Sequence, residues 1–150
     1  MDNISEVLKQ QAISLGACKK EIESWNNLSQ QELIDKYRKC LDFCVSRQYP
    51  SNEFIKANFS RQLLNDNLIF VDEHIELDNA PSGVYIINGE CSGSINFPQW
   101  SAATVYVRHS SRVEINVGDF GKVFVRLYDD AEVDTTRGEN AICRVYDRRR

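Results

Sequence analysis

Residues 79–148 read NAPSGVYIIN, GECSGSINFP, QWSAATVYVR, HSSRVEINVG, DFGKVFVRLY, DDAEVDTTRG and ENAICRVYDR when they are written in rows of ten. The rows align without insertion, and the third column holds a small or turn-forming residue in every row. These third-column residues are Pro81, Cys91, Ser101, Ser111, Gly121, Ala131 and Ala141. Because seven consecutive rows keep the same columns, the second half of the chain is a decapeptide repeat.

The apolar residues of the repeat stand mainly in columns five, seven and nine. This spacing of two is typical of a β-strand with one buried face, and a row is long enough for a strand of about five residues and a turn. In-register stacking of such units predicts a short β-solenoid, or parallel β-helix, of unspecified handedness. An antiparallel β-meander is the alternative, because this spacing also fits short hairpins.

Alternate rows resemble each other more than neighbouring rows do, which favours the solenoid. Columns six, eight and ten carry mostly aromatic and basic residues in rows three, five and seven. The same columns carry small, polar and acidic residues in rows two, four and six. The pattern therefore predicts coils of about 20 residues, with one strand on each of two faces.

The outward positions of rows three, five and seven form a candidate partner-binding surface, named the aromatic-basic face. It consists of Tyr106, Arg108, Phe124, Arg126, Tyr128, Arg144 and Tyr146. Aromatic residues and arginine are enriched at protein interfaces and also stack on bases or sugars. The basic tail 148–150 adds positive charge nearby. The alternative is that these side chains form ladders that stabilise the sheet, or pack against the helical half or a second copy.

The first half of the chain has helical rather than strand-like spacing. The segment Ser29-Gln30-Gln31-Glu32 is a capping box ahead of a helix that reaches Val45, and Ser51 can cap a further helix that carries Leu63. Short buried strands are expected at 68–71 and 75–77, where they would cap the first coil. The predicted fold class is α+β, with a helical domain at 1–66, a connector with capping strands at 67–78, and the repeat at 79–150.

The composition is that of a globular protein: 150 residues, 42% apolar and 27% charged, with a net charge of −4. The negative balance argues against a nucleic-acid partner. No apolar run approaches the roughly 18–20 residues of a membrane span, and no secretory signal is visible, so no membrane association is expected. The five cysteines are irregularly spaced, which argues against a disulfide framework and favours the cytoplasm.

No catalytic, metal or cofactor site is predicted, so the chain is not expected to be an enzyme. Cys40 and Cys44 lie one helical turn apart, but a zinc site needs about four ligands and neither histidine has a suitable spacing. The segment His109-Ser110-Ser111 offers a base and two hydroxyls, yet adjacent residues point in different directions and turn formation explains both serines. The glycines follow the rows rather than a phosphate-binding loop.

Three stretches carry a resemblance to a known family: LGACKK at 15–20, DFCVSRQYPSNEFI at 42–55 and VYVRHSS at 105–111. They resemble a family of small, functionally uncharacterised proteins from phages and mobile elements of gut bacteria, in which a helical N-terminal segment precedes a β-rich repeat. The resemblance covers most of the chain, but its motifs carry no known chemistry. In architecture alone, the repeat half is similar to bactofilin-type solenoids, which polymerise end to end, without any bactofilin sequence signature.

Three functions are compatible with these features. The first is a non-enzymatic protein-interaction module. The resemblance implies a phage or mobile-element accessory protein that binds a host or viral protein through the aromatic-basic face and blunts a host defence. The second is a self-assembling structural or virion-associated protein, and hence a homo-oligomer. The third is a protein that binds a small ligand, a nucleotide or sugar, through arginine and aromatic side chains. The expected location is the cytoplasm of a bacterial host cell or the virion.

Overall fold

The computed structural model describes residues 3–149. Met1, Asp2 and Arg150 lie outside the described residues, and Arg150 belongs to the predicted basic tail. The chain divides into two compact units, Met1–Asn67 and Leu68–Arg150. Of the described residues, none belongs to a helix that is both long enough and apolar enough to cross a membrane.

The first unit is helical, and hydroxyl or amide side chains begin most of its helices. Its helices are α1 Ile4–Ser14, α2 Lys19–Glu23, α3 Gln30–Lys39, α4 Leu41–Arg47, α5 Asn52–Asn58 and α6 Arg61–Asp66. The capping box before α3 is formed, because Ser29 accepts from the backbone N–H of Glu32 and the Glu32 carboxylate accepts from that of Ser29. Ser51 and Ser60 cap α5 and α6 in the same way through a single bond each.

The structure differs from the sequence prediction where two long helices were expected. The first ends at Cys40, whose backbone leaves the helical region (φ −105°, ψ 30°), so α3 and α4 are separate. The second ends at Phe59, which is extended, and Ser60 then caps a new helix. Periodicity alone does not reveal these interruptions, because the apolar spacing continues through both.

A small apolar core holds the helical unit together. It is formed by Leu8, Ala12, Trp25, Leu33, Cys44 and Tyr49. The two buried aromatic residues also satisfy their polar atoms: Trp25 Nε1 donates to Ser5 Oγ at 3.0 Å, and the Tyr49 hydroxyl donates to the Leu8 carbonyl at 2.7 Å.

The second unit is a parallel β-solenoid of about four turns. Its strands are β1 Ile69–Val71, β2 His74–Leu77, β3 Gly83–Asn88, β4 Ser92–Phe97, β5 Ala102–Val107, β6 Arg112–Val117, β7 Lys122–Leu127, β8 Glu132–Arg137 and β9 Ile142–Asp147. Odd-numbered strands form a five-stranded sheet, β1-β3-β5-β7-β9, and even-numbered strands form a four-stranded sheet, β2-β4-β6-β8. The predicted solenoid is confirmed, and the antiparallel meander is wrong because the pairings are parallel.

The register of the strands matches the decapeptide rows from β3 onward. Tyr85 pairs with Val105 and Ile115 pairs with Thr135, each twenty residues apart. The first coil is shorter, since Ile69 pairs with Ile86. Within the predicted connector 67–78, β1 and β2 are the first strands of the two sheets, and their residues do not fit the ten-residue rows.

The core of the solenoid lies between the two sheets and is built from columns five, seven and nine. Its fully buried members include Tyr85, Ile87, Ile95, Val105, Val107, Ile115, Val123 and Val125. Burying one such aliphatic side chain contributes about 1.5–3 kcal/mol. Polar residues are thereby left on the two outer faces and at the corners, which is where candidate sites lie.

Candidate functional site

Strand register brings the residues of the aromatic-basic face into rows across the five-stranded sheet. Tyr106 on β5 pairs with Arg126 on β7, which pairs with Tyr146 on β9. Phe124 pairs with Arg144 in the neighbouring row. Because adjacent strands lie about 4.8 Å apart, side chains in one row are within contact distance of each other.

The aromatic rings of this face stack in pairs and are held by an arginine. The Tyr106 and Tyr128 ring centroids are 6.2 Å apart and nearly parallel (8°), and those of Phe124 and Tyr146 are 6.4 Å apart. The Arg126 guanidinium lies 5.4 Å from the Tyr106 ring centroid, and its Nη1 donates to the Tyr106 hydroxyl at 3.4 Å. These contacts restrain the side chains of the face.

Accessibility of the aromatic-basic face increases toward the C-terminal end. Arg108 is only 2% exposed and Tyr106 is buried, so the prediction that these two project into solvent is wrong. The buried Arg108 guanidinium donates from Nη1 to the Asn88 side-chain oxygen at 2.8 Å. Phe124, Arg126 and Tyr128 are half-buried. Arg144 is exposed and Tyr146 is 40% exposed.

The two outer faces of the solenoid differ in charge. The outward positions of β7 and β9, with the residue that follows β9, carry Lys122, Arg126, Arg144 and Arg148. The outward positions of β6 and β8 carry Arg112, Glu114, Glu132 and Asp134, and Arg112 forms an ion pair with Glu132 at 3.6 Å. The aromatic-basic face therefore attracts anionic groups, and the other face repels them.

A hydrogen-bonded ladder of polar side chains runs along the outer face of the four-stranded sheet. Asn96 donates to the Asp78 carboxylate at 2.6 Å, and Asn116 donates to the Asn96 side-chain oxygen at 2.6 Å. The Thr136 hydroxyl donates in turn to the Asn116 side-chain oxygen. The ladder was not predicted, although Asn96, Asn116 and Thr136 share one column in alternate rows. The ladder gives these residues a role in stabilising the sheet rather than in binding a ligand.

An exposed aromatic stack at one corner was also missed in the sequence. The rings of Trp100 and Phe120 are nearly parallel, with centroids 4.5 Å apart, and Trp100 is 72% exposed. Both residues have left-handed backbone conformations (φ 67° and 63°) that favour glycine or asparagine. The available signal was the pair of aromatic residues in column two, twenty positions apart.

The candidate base and hydroxyl at His109-Ser110-Ser111 hold the backbone of the preceding coil. His109 Nδ1 accepts from the Gly89 N–H at 2.9 Å. Ser111 Oγ accepts from the Cys91 N–H at 3.1 Å and donates to the Gly89 carbonyl at 2.9 Å. Burial lowers the pKa of His109, with a further contribution from the nearby Arg108 charge. These contacts give both side chains a structural role.

The five cysteines are free thiols, and two of them, Cys91 and Cys143, belong to the repeat. Cys91 is buried and Cys143 is half-buried, and burial raises the pKa of both thiols. Among residues 3–149, no group of three or more histidine, cysteine or acidic side chains is arranged to hold a metal ion.

Comparison with protein-family models, with curated proteins and with solved structures finds no match to this chain.

Proposed function

We propose that the protein is a non-enzymatic interaction module that binds a protein partner through the accessible part of the aromatic-basic face. The observation that carries the proposal is the pairing of stacked aromatic rings with arginines on a rigid sheet, at Phe124, Arg126, Tyr128, Arg144 and Tyr146. Tyrosine, phenylalanine and arginine are the residue types enriched at protein interfaces.

Preorganisation supports this proposal. Stacking and the Arg126–Tyr106 contact already restrict the side chains, so less conformational entropy is lost on binding. The parallel sheet beneath them holds the backbone in register through the β5–β7 and β7–β9 pairings. Such a surface favours a partner of matching shape over a flexible ligand.

The charge of the face specifies the chemistry of the partner. Its accessible cations, Arg126 and Arg144, are joined by Lys122 and Arg148 on the same face. A complementary partner surface presents carboxylates to these cations and apolar side chains to the rings. By its resemblance to proteins of phages and mobile elements, the chain is an accessory protein whose partner is a host or viral protein, and interference with a host defence is the proposed outcome.

Site-specific photo-crosslinking tests the proposal directly. A benzoylphenylalanine in place of Tyr128 keeps an aromatic ring on the aromatic-basic face, and the same residue in place of Glu114 serves as the matched probe on the other outer face. We expect the Tyr128 probe to crosslink one defined protein, by a bond mapped to an acidic surface of that protein. Crosslinking from Glu114 but not from Tyr128 would overturn the proposal, as would crosslinking from neither.

A further inference from the structure

The C-terminal end of the solenoid presents two strand edges. β8 and β9 are the last strands of their sheets, and within the described residues each pairs on one side only, β8 with β6 and β9 with β7. The backbone N–H and C=O groups on the other edge of such strands are available to another strand.

Core positions are uncovered at the same end. Val125 is 0% exposed, whereas its register neighbour Val145 is 41% exposed. On the other sheet, Ile115 is fully buried and its neighbour Thr135 is exposed. Thus Val145, at a core position of the last described coil, leaves its apolar side chain partly uncovered.

The corners of the last coil, in contrast, are capped by arginines. In earlier coils the carbonyl of a third-column residue accepts from a backbone N–H of the next coil, as in Lys122 N–H to Ser101 O at 2.8 Å. At the end, Arg149 Nη1 donates to the Ala131 carbonyl at 3.2 Å and Arg137 Nη1 donates to the Ala141 carbonyl at 2.9 Å. These guanidinium groups satisfy the corner carbonyls, whereas the outer edges of β8 and β9 between the corners are left unpaired within the described residues.

The two edges carry opposite charges on their outward sides. β8 carries Glu132 and Asp134, whereas β9 carries Arg144 and is followed by Arg148. The corner at 138–141 reverses the chain, so β8 and β9 run in opposite directions on opposite sides of the coil. Asp134 and Arg144 are each five residues from Glu139 at that corner and therefore lie at about the same height along the strands.

We propose that this end binds a second copy of the same chain in a closed, tail-to-tail dimer. A two-fold axis parallel to the strands places β8 of each copy antiparallel to β9 of the other. Asp134 then faces Arg144 of the second copy on the outer side, and Val133 faces Val145 of the second copy on the inner side. Because the dimer is two-fold symmetric, each of these contacts occurs twice.

Charge selects this pairing over the other two-fold arrangement. An axis perpendicular to the sheets would pair β8 with β8 and β9 with β9. Centred at the height shared by Asp134 and Arg144, that arrangement places Asp134 beside Asp134 and Arg144 beside Arg144, which is destabilising across a strand pair. The proposal goes beyond the proposed function, since it concerns self-association at the end of the solenoid, and Arg144 is the residue that the two surfaces share.

The mass of the full chain in solution, measured by light scattering and sedimentation, tests the dimer. We expect twice 17.3 kDa for the wild-type protein. The single variants Asp134→Arg and Arg144→Asp should each give 17.3 kDa, because like charges then meet at both β8–β9 pairings between the copies. An equimolar mixture of the two variants should regain the doubled mass, because in a mixed dimer Arg faces Asp at both β8–β9 pairings.

Controls separate this result from misfolding and from the proposed function. Glu114→Arg reverses a charge on the outer face of β6, away from the end, and should leave the dimer intact. Asp134 is not part of the aromatic-basic face, so Asp134→Arg should abolish the dimer without preventing crosslinking from Tyr128. A wild-type monomer at concentrations up to about 1 mM would overturn the dimer, as would single variants that dimerise like the wild-type protein.

Discussion

His109 Nδ1 accepts a hydrogen bond at 2.9 Å from the backbone N–H of Gly89, which lies twenty residues earlier in the chain and one coil away. The backbone N–H of His109 donates in turn to Asp129 Oδ2 at 3.0 Å. Together with Asp72, these residues occupy one corner of successive coils in left-handed backbone conformations. The corner therefore depends on a neutral imidazole.

We expect the stability of the protein to fall as the pH is lowered through the titration of His109. Burial, followed by the Arg108 charge, lowers its pKa below 6.5 in the folded state, although Asp129 and Asp72 oppose the shift. The folded state then binds fewer protons than the unfolded state, so the stabilising contribution is present above about 6.5 and is lost between that value and the lowered pKa. Chemical denaturation from pH 8 to pH 5 measures the slope.

The variant His109→Asn isolates this effect. Asparagine tolerates the left-handed conformation (φ 59°) and does not titrate in this range. Its pH slope should be shallower than that of the wild-type protein, because the variant lacks the imidazole whose pKa folding lowers. Identical slopes would show that His109 does not control the pH dependence.

The same valine-to-alanine change should have different costs in the core and at the open end. Val125 is fully buried, so Val125→Ala leaves a cavity and should lower the free energy of unfolding by about 2 kcal/mol. Val145 is 41% exposed, so Val145→Ala should cost less than about 1 kcal/mol in the monomer. Urea denaturation at low protein concentration measures both, and equal costs would contradict an uncovered last coil.

Gly93 is a position where any side chain conflicts with a neighbouring strand. It has φ +123°, and a Cβ built there would lie 1.8 Å from the backbone oxygen of Ile75 on β2. Gly93→Ala should therefore displace β2 and cost more than about 3 kcal/mol. Gly16→Ala is the matched control, since Gly16 also has positive φ (+87°) but has nothing within 4 Å, and it should cost about 1 kcal/mol. Similar thermal shifts for both variants would contradict the close approach.

The polar ladder should contribute to stability through its central member. Asn116→Ala removes a bond to Asn96 and a bond from Thr136, and should lower the free energy of unfolding by about 1–2 kcal/mol. Glu114→Ala, on the same strand and exposed, should change it by less than about 0.5 kcal/mol. If the two variants are equally stable in denaturation experiments, the ladder does not stabilise the solenoid.

The repeat columns were sufficient to predict the solenoid, because each buried position in one coil lies over the same position in the next. Val105 and Val125, for example, pair directly and are both fully buried. The short first coil could not be predicted from the columns, since Ile69 and Ile86 are separated by fewer residues than later pairs. The breaks at Cys40 and Phe59 depend on local backbone conformation, which apolar spacing does not encode.

The membership of the candidate surface was predictable, but its accessibility was not. The alternation of side chains along a strand placed all seven residues on the outer side of the sheet. Arg108 is nevertheless buried, and it donates a hydrogen bond to the Asn88 side chain. This alternation distinguishes the two sides of a strand, but it does not predict how far side chains on the outer side are exposed to solvent. The Trp100–Phe120 stack lies at a corner, where the strand period does not apply.

Binding of the crosslinked partner to Arg126 variants tests the central claim most directly. Arg126→Gln and Arg126→Glu both lose the contact with Tyr106 but differ in charge. Their thermal unfolding temperatures, measured alongside, separate a loss of stability from a loss of affinity. Calorimetry should give a dissociation constant at least about tenfold weaker for Arg126→Glu than for the wild-type protein, with Arg126→Gln between them. Equal affinity for all three proteins would contradict binding through the aromatic-basic face.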